Sequence, residues 1–263
     1  MDIGERLLSC TVRLETESSV GTGFFYKMRV ETNGDFKPVI VTNRHVLEDA
    51  NELSIRLRCE HKDGTIINRD FPITNLEGNV VFHPNPDIDL AVFPFPGLYV
   101  IASLFELTPL ITYVSEEDIP NENEIEKLSP IEDVIVIGYP NGLWDDINVR
   151  PLVRRGITAS DYKLDYQNKP QFIIDCSIFP GSSGSPVFLY NTGPYQEGND
   201  VFLTGVRVKF LGINSSVFIQ NLEGNIVERH VPTKLSTVSR LPIGLGIIIK
   251  ANQLKEMEEL LPE

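Results

Sequence analysis

Short runs of β-branched and aromatic residues recur along the whole chain, at positions 8–14, 23–30, 38–42, 53–57, 80–82, 90–93, 134–137, 171–174, 186–189, 203–210 and 246–249. Runs of this length, bounded by turn-forming residues, predict strands. Asn33-Gly34-Asp35, Asp63-Gly64 and Glu223-Gly224-Asn225 are placed to turn hairpins between them. Two stretches break the pattern. Residues 115–133 are acidic and poor in strand formers, which predicts a connector between two β halves. Residues 251–261 carry Leu254, Met257, Leu260 and Leu261 at the spacing of one helical face, with Asn252 as candidate cap, which predicts a short C-terminal helix. The expectation is an all-β chain, with halves at 8–110 and 134–250, a connector over 111–133 and a helix over 251–261.

Composition narrows what such a chain binds. Of 263 residues, 23 are Lys or Arg and 37 are Asp or Glu, a net charge of −14. A surface of that sign argues against nucleic acid and anionic membranes as partners, since both require clustered cations. No apolar run approaches the roughly 18 residues of a membrane span. Cys10, Cys59 and Cys176 lack the spacing of a disulfide framework or a zinc site, and the start lacks a basic, then apolar, leader. A reducing cytoplasm is the simplest compartment, and no cofactor or metal is called for.

The stretch Phe179-Pro180-Gly181-Ser182-Ser183-Gly184-Ser185-Pro186-Val187 sets a serine in a glycine-flanked turn. Ser183 is the candidate nucleophile, and glycines at 181 and 184 let backbone N–H groups turn toward a reacting oxygen. A serine hydroxyl needs a base, and a base needs an orienting group. Among four histidines, His45 ends the apolar run at 38–42, whereas His61, His83 and His230 sit in charged or turn contexts that suit surface residues. Asp89 borders the apolar run at 90–93, where a carboxylate requires a hydrogen-bond partner, and Asp87 is its local competitor.

Thr42-Asn43-Arg44-His45-Val46-Leu47, Asp89-Leu90-Ala91-Val92 and Gly181-Ser182-Ser183-Gly184-Ser185-Pro186 resemble, in that order, the catalytic signatures of the chymotrypsin-fold (trypsin-like) serine peptidases. The chain is particularly similar to the HtrA-type protease domain. Gly21-Thr22-Gly23-Phe24, the turn at 137–143, and the segments at 155–160, 211–216 and 244–249 extend the similarity to about residues 8–261. The resemblance implies two six-stranded antiparallel β-barrels with a C-terminal helix, the triad in the cleft between them, and a polypeptide substrate. It implies a His45-Asp89-Ser183 triad, an acyl-enzyme intermediate, and an oxyanion hole made by the N–H groups of Gly181 and Ser183. It further implies a substrate-side-chain pocket with Ser177 at its base and Ile178, Ile213, Asn214 and Ser215 along its walls. Without a carboxylate at Ser177, a small or medium apolar residue is expected before the scissile bond.

The match also has departures. Ser182 stands where relatives carry Asn or Asp, and Ser185 where many carry Gly, so activation through a newly cleaved N-terminus paired to an acid is not expected. No PDZ-like segment follows residue 261, so the trimeric assembly of HtrA relatives is not implied, and no oligomer or regulatory partner is named by the residues. Two rivals stand beside the peptidase reading. One is a catalytically silent binding module on the same fold. The other is an α/β-hydrolase esterase using Ser183, Asp200 and His230, which would need a strand-to-helix turn at the serine.

Overall fold

The computed structural model describes residues 2–261 except 18, 75, 77, 96, 199, 200 and 227–234, and for 201, 218–226 and 235–242 it describes the backbone only. The first half is one antiparallel sheet. Its strands are β1 (Thr11–Thr16), β2 (Val20–Met28), β3 (Lys37–Thr42), β4 (Glu52–His61), β5 (Ile66–Thr74), β6 (Val81–Phe82), β7 (Ala91–Pro94) and β8 (Leu107–Pro109). They lie in the order β5-β4-β1-β2-β3-β7-β6, with β8 paired to β4. The second half is a closed barrel of β9 (Asp133–Gly138), β10 (Leu152–Thr158), β11 (Gln171–Asp175), β12 (Pro186–Glu197), β13 (Val201–Ile226) and β14 (Leu235–Lys250). The helices are short: α1 (Ile3–Ser9), α2 (Arg44–Leu47), α3 (Gly97–Leu104), α4 (Glu122–Glu126) and α5 (Lys255–Glu258).

Strand alternation divides the apolar side chains among three cores. On β2, Phe25 points into the first half, where it joins Val12, Leu14, Ile40, Leu53 and Ile55. Phe24, Tyr26 and Met28 point the other way, into a core shared by the two halves with Ile135, Ile137, Phe188, Phe210 and Ile213. β9 is split in the same manner, because Val134 and Val136 turn into the barrel with Phe172, Ile174, Val187 and Leu189. β2 and β9 are therefore buried on both faces, which is why 24–26 and 134–137 read as unbroken apolar runs.

The two antiparallel sheets and the C-terminal helix agree with the sequence expectation, and the first half carries eight strands where six were implied. β5 and β10 escape a hydrophobicity reading because polar residues interrupt their apolar ones, Asn68, Arg69 and Asp70 in one and Arg154 and Arg155 in the other. α1 takes Leu8 out of the predicted first strand, with Asp2 capping the Gly4 amide at 3.1 Å and Leu7 buried beneath. No turn forms at Glu223-Gly224-Asn225: these residues pair with Val238, Thr237 and Ser236 as β13 and β14 run on together. The final segment is a 3₁₀ turn, Ala251–Leu254, followed by α5. Leu254, Met257 and Leu261 are buried, Leu260 is exposed, and Lys250, rather than Asn252, occupies the N-cap.

The acidity of the connector serves to anchor it. Asp118 pairs with Arg6 of α1, Glu116 with Lys255 of α5, and Glu124 with Lys209 of β13. Glu132 is buried against Arg207. Exposed pairs of this kind contribute at most about 1 kcal/mol each, so their role is registration of the connector more than stability. The shared core carries the greater energy. Phe210 is fully buried and meets the Phe24 ring at 5.2 Å and the Phe188 ring at 5.6 Å. Phe210→Ala is expected to lower the unfolding free energy by about 3–5 kcal/mol in urea titration, a loss much below 1 kcal/mol being inconsistent with this core.

Candidate active site

β3 ends at Thr42, and the chain turns at Asn43 into α2, which carries His45. Asn43 is fully buried and donates through Nδ2 to the Asp89 carbonyl at 2.7 Å, tying this turn to the segment that enters β7. The Asp89 carboxylate then receives three donors: the His45 amide at 3.1 Å on Oδ1, His45 Nδ1 at 2.7 Å on Oδ2, and the Ser215 hydroxyl at 3.0 Å on Oδ2. With Nδ1 donating to a carboxylate, Nε2 is left as the acceptor nitrogen. The imidazole is half exposed, at 49%. Asp87, the local competitor, is exposed and takes an Asn85 turn contact instead of the imidazole.

Ser183 comes from the second half, in the turn between β11 and β12. Its hydroxyl donates to the Ser215 carbonyl at 3.4 Å, and among the described residues no hydrogen bond joins it to His45. Ser215 thus touches both partners, through Oγ to Asp89 and through its carbonyl to Ser183. The turn is fixed from three sides. The Gly184 amide donates to the Asn214 carbonyl at 2.8 Å, the Ser183 carbonyl accepts from the Thr22 amide at 2.9 Å, and the Gly181 carbonyl accepts from the Thr22 hydroxyl at 3.0 Å.

The amides of Ser182, Gly184 and Ser185 are all engaged, whereas those of Gly181 and Ser183 donate to no described residue. What fixes these two is the carbonyl at the opposite end of each peptide plane, because C=O and N–H of a trans peptide point in opposite directions. Pro180 O accepts from the Asn141 amide at 2.5 Å, and Ser182 O from Asn214 Nδ2 at 2.9 Å. Each bond turns the following N–H, of Gly181 and of Ser183, to the other side.

The residues assigned to the substrate pocket separate. Ser177 is exposed and Ser215 partly buried, but Ile178 is fully buried in the barrel core and Ile213 in the core between the halves. Neither isoleucine presents a wall to a substrate. Asn214 is also buried, and its contacts are to the nucleophile turn. Two residues not singled out as site residues stand beside them: Thr22, already inside a quoted motif, and Arg154, which donates to the Ser177 carbonyl and the Ser182 hydroxyl. Arg154 carried no sequence signal beyond being a cation two residues before Gly156.

His83, read as a turn residue, is buried at 1% exposure, with Nδ1 accepting from the Asn85 amide and Nε2 lying 3.7 Å from Glu256. His61, read as a turn residue, is the last residue of β4, beside Asp63 of the turn that follows. Asp200 and His230 lie outside the described residues. Ser183 leads through Pro186 directly into β12, so the strand-to-helix turn required by the esterase reading is missing at this serine.

The sequence pattern of the trypsin-like peptidase domain matches residues 21–194. Among solved structures, the Rv3671c protease from M. tuberculosis in its inactive form aligns over 98% of this chain and 91% of its own, at 14% identity and a TM-score of 0.51. A scabies mite inactivated protease paralogue, S-I1, aligns over 95% and 93%, at 13% identity and a TM-score of 0.49. A likeness at such identities concerns the fold. Comparison with curated proteins gives no match.

Gly184 offers a direct test of how tightly the turn is packed. Its φ is +83°, and an added Cβ would lie 2.0 Å from the Thr22 carbonyl oxygen and 2.4 Å from Thr42 Oγ1. Gly184→Ala is expected to cost about 3 kcal/mol or more, seen as a lowered thermal midpoint, since both the backbone conformation and the contact are forbidden to alanine. An unchanged midpoint would contradict this packing.

Proposed function

The chain belongs to the family of trypsin-like peptidase domains, and from that premise we propose that it is a serine endopeptidase working through His45, Asp89 and Ser183. The observation that carries this reading is the position of Ser215, in contact with both the Asp89 carboxylate of the first half and the Ser183 hydroxyl of the second. It keeps an Asp-oriented imidazole and a serine with two undonated flanking amides within one side chain of each other.

In the proposed reaction, Ser183 leaves its weak bond to the Ser215 carbonyl by rotation about χ1 and gives its proton to His45 Nε2 as Oγ attacks a peptide carbonyl. Asp89 holds the imidazole through Nδ1 and stabilises its charged form. The Gly181 and Ser183 amides receive the developing oxyanion, where one such donor typically contributes about 3 kcal/mol of transition-state stabilisation. His45 then protonates the leaving amine, and water resolves the acyl-enzyme by the reverse path. HtrA-like use of a polypeptide substrate with an uncharged, apolar side chain before the scissile bond fits the absence of a carboxylate at Ser177. Its carbonyl already holds the Arg154 guanidinium, which disfavours a basic substrate residue there. Three buried free thiols fit a reducing, cytoplasmic setting. Among the described residues no helix is long and apolar enough to cross a membrane.

A second reading has one observation in its favour: Ser183 is bonded to Ser215 and not to His45. A chain locked in that rotamer would be a silent binding module on the same fold. Peptide turnover separates the two. We expect Ser183→Ala and His45→Ala to lower kcat by on the order of 10³-fold or more, and Asp89→Asn by a comparable factor, with unchanged folding. Equal turnover by wild type and all three variants would remove the triad, and no turnover by the folded wild type would leave the binding module.

A further inference from the structure

Arg154 stands where a cation is costly, and two features of β10 put it there. It lies opposite Val136 in the β9–β10 ladder, so its side chain shares the inward-facing side of that strand with a core residue. Two positions further on, β10 runs so close to β11 that a Cβ on Gly156 would fall 2.1 Å from the Asp175 carbonyl oxygen. This close approach brings the start of β10 against the segment leaving β11, residues 176–182.

The guanidinium meets that segment at both ends. Nη1 donates to the Ser177 carbonyl at 2.6 Å, and both Nη1 and Nη2 lie 3.3 Å from the Ser182 hydroxyl, which is itself 1% exposed. The Phe179 ring, midway along the segment, sits 5.7 Å from the guanidinium carbon. Burial holds this group below the ordinary guanidinium pKa, and among the described residues no carboxylate pairs with it. A planar fork of fixed donors is suited to bridging two oxygens at a set distance. Ser182 is thereby held twice, by Arg154 on its side chain and by Asn214 on its carbonyl. It is the residue between the two undonated amides.

We propose that Arg154 is a positioning residue that holds the 177–183 segment from within the chain, so that the Gly181 and Ser183 amides are set for an oxyanion before substrate arrives. The proposal rests on the peptidase reading for its catalytic consequence, but the ordering it describes belongs to the backbone and can be measured without turnover. Ser182, a departure from the acidic or amide residue of relatives, acquires a role here as the hydroxyl that accepts from a strand-borne cation.

The test compares wild type with Arg154→Ala, Arg154→Lys, Ser182→Ala and Arg155→Ala. Arg155, the neighbouring cation, pairs with Asp133 on the exposed side and serves as the control. Hydrogen exchange of peptides covering 177–185 should be faster in Arg154→Ala by about tenfold or more, intermediate in Ser182→Ala, and unchanged in Arg155→Ala. On a peptide substrate, Arg154→Ala should lose on the order of 10²-fold in kcat with KM within about threefold, and added methylguanidinium should restore part of the kcat. Arg154→Lys, with a single ammonium in place of the fork, should recover less than half of the loss. Wild-type exchange and kcat in Arg154→Ala would overturn the proposal. So would a loss confined to KM with a changed preference for the residue before the scissile bond, because Arg154 would then be reading the substrate. Should wild type itself fail to turn over peptides, the peptidase reading falls, and the exchange comparison still decides whether Arg154 orders the segment.

Discussion

Thr22 is the residue on which the geometry of the site depends. It is fully buried at the meeting of the two halves and uses every polar atom it has. Its amide donates to Ser183 O at 2.9 Å, its hydroxyl donates to Gly181 O at 3.0 Å and accepts from the Tyr139 amide at 3.1 Å, and its carbonyl accepts from Thr42 Oγ1 at 2.7 Å. A buried polar group left unpaired costs about 1–3 kcal/mol, so these bonds form together or the interface rearranges. One residue of β2 thus sets the height of the nucleophile turn relative to the end of β3, from which the chain turns into the helix carrying His45.

Around that contact the labour is divided between the halves. The first half supplies a carboxylate and imidazole fixed by three donors on Asp89, and the second supplies a serine turn whose amides are oriented through the carbonyls behind them. The two are joined by the apolar core of Phe24, Phe188, Phe210 and Ile213, which resists relative sliding because close-packed side chains do not deform continuously. Catalytic geometry demands tolerances well below the size of a side chain, and rigid strands, not the loops themselves, meet that demand.

Much of this was legible in the sequence where one physical signal dominated. Short β-branched and aromatic runs bounded by turn residues gave the two β halves, and the three quoted motifs named His45, Asp89 and the Ser183 turn. Strands whose apolar residues are interrupted by polar ones, β5 and β10, did not announce themselves, because hydrophobicity reads burial rather than backbone pairing. The pocket assignment failed at Ile178 and Ile213 for a related reason. Both are apolar residues next to the site, and in a small barrel such residues serve the core before they serve a substrate. Arg154 was invisible because its importance lies in two contacts across strands, to Ser177 and Ser182, that no local pattern encodes. His83 erred in the opposite direction, since a histidine before a proline reads as a surface turn, yet here it is buried between Arg44 and Glu256.

The central claim is that Ser183 is a nucleophile activated by His45 across the two halves. Mass-spectrometric mapping of the adduct formed with a fluorophosphonate tests it most directly, because phosphonylation requires both the serine and its base. The account predicts a single adduct on the peptide carrying Ser183, approaching one per chain in the folded protein and nearly absent in His45→Ala. No adduct on the folded wild type, or an adduct that forms equally well without His45, would contradict it.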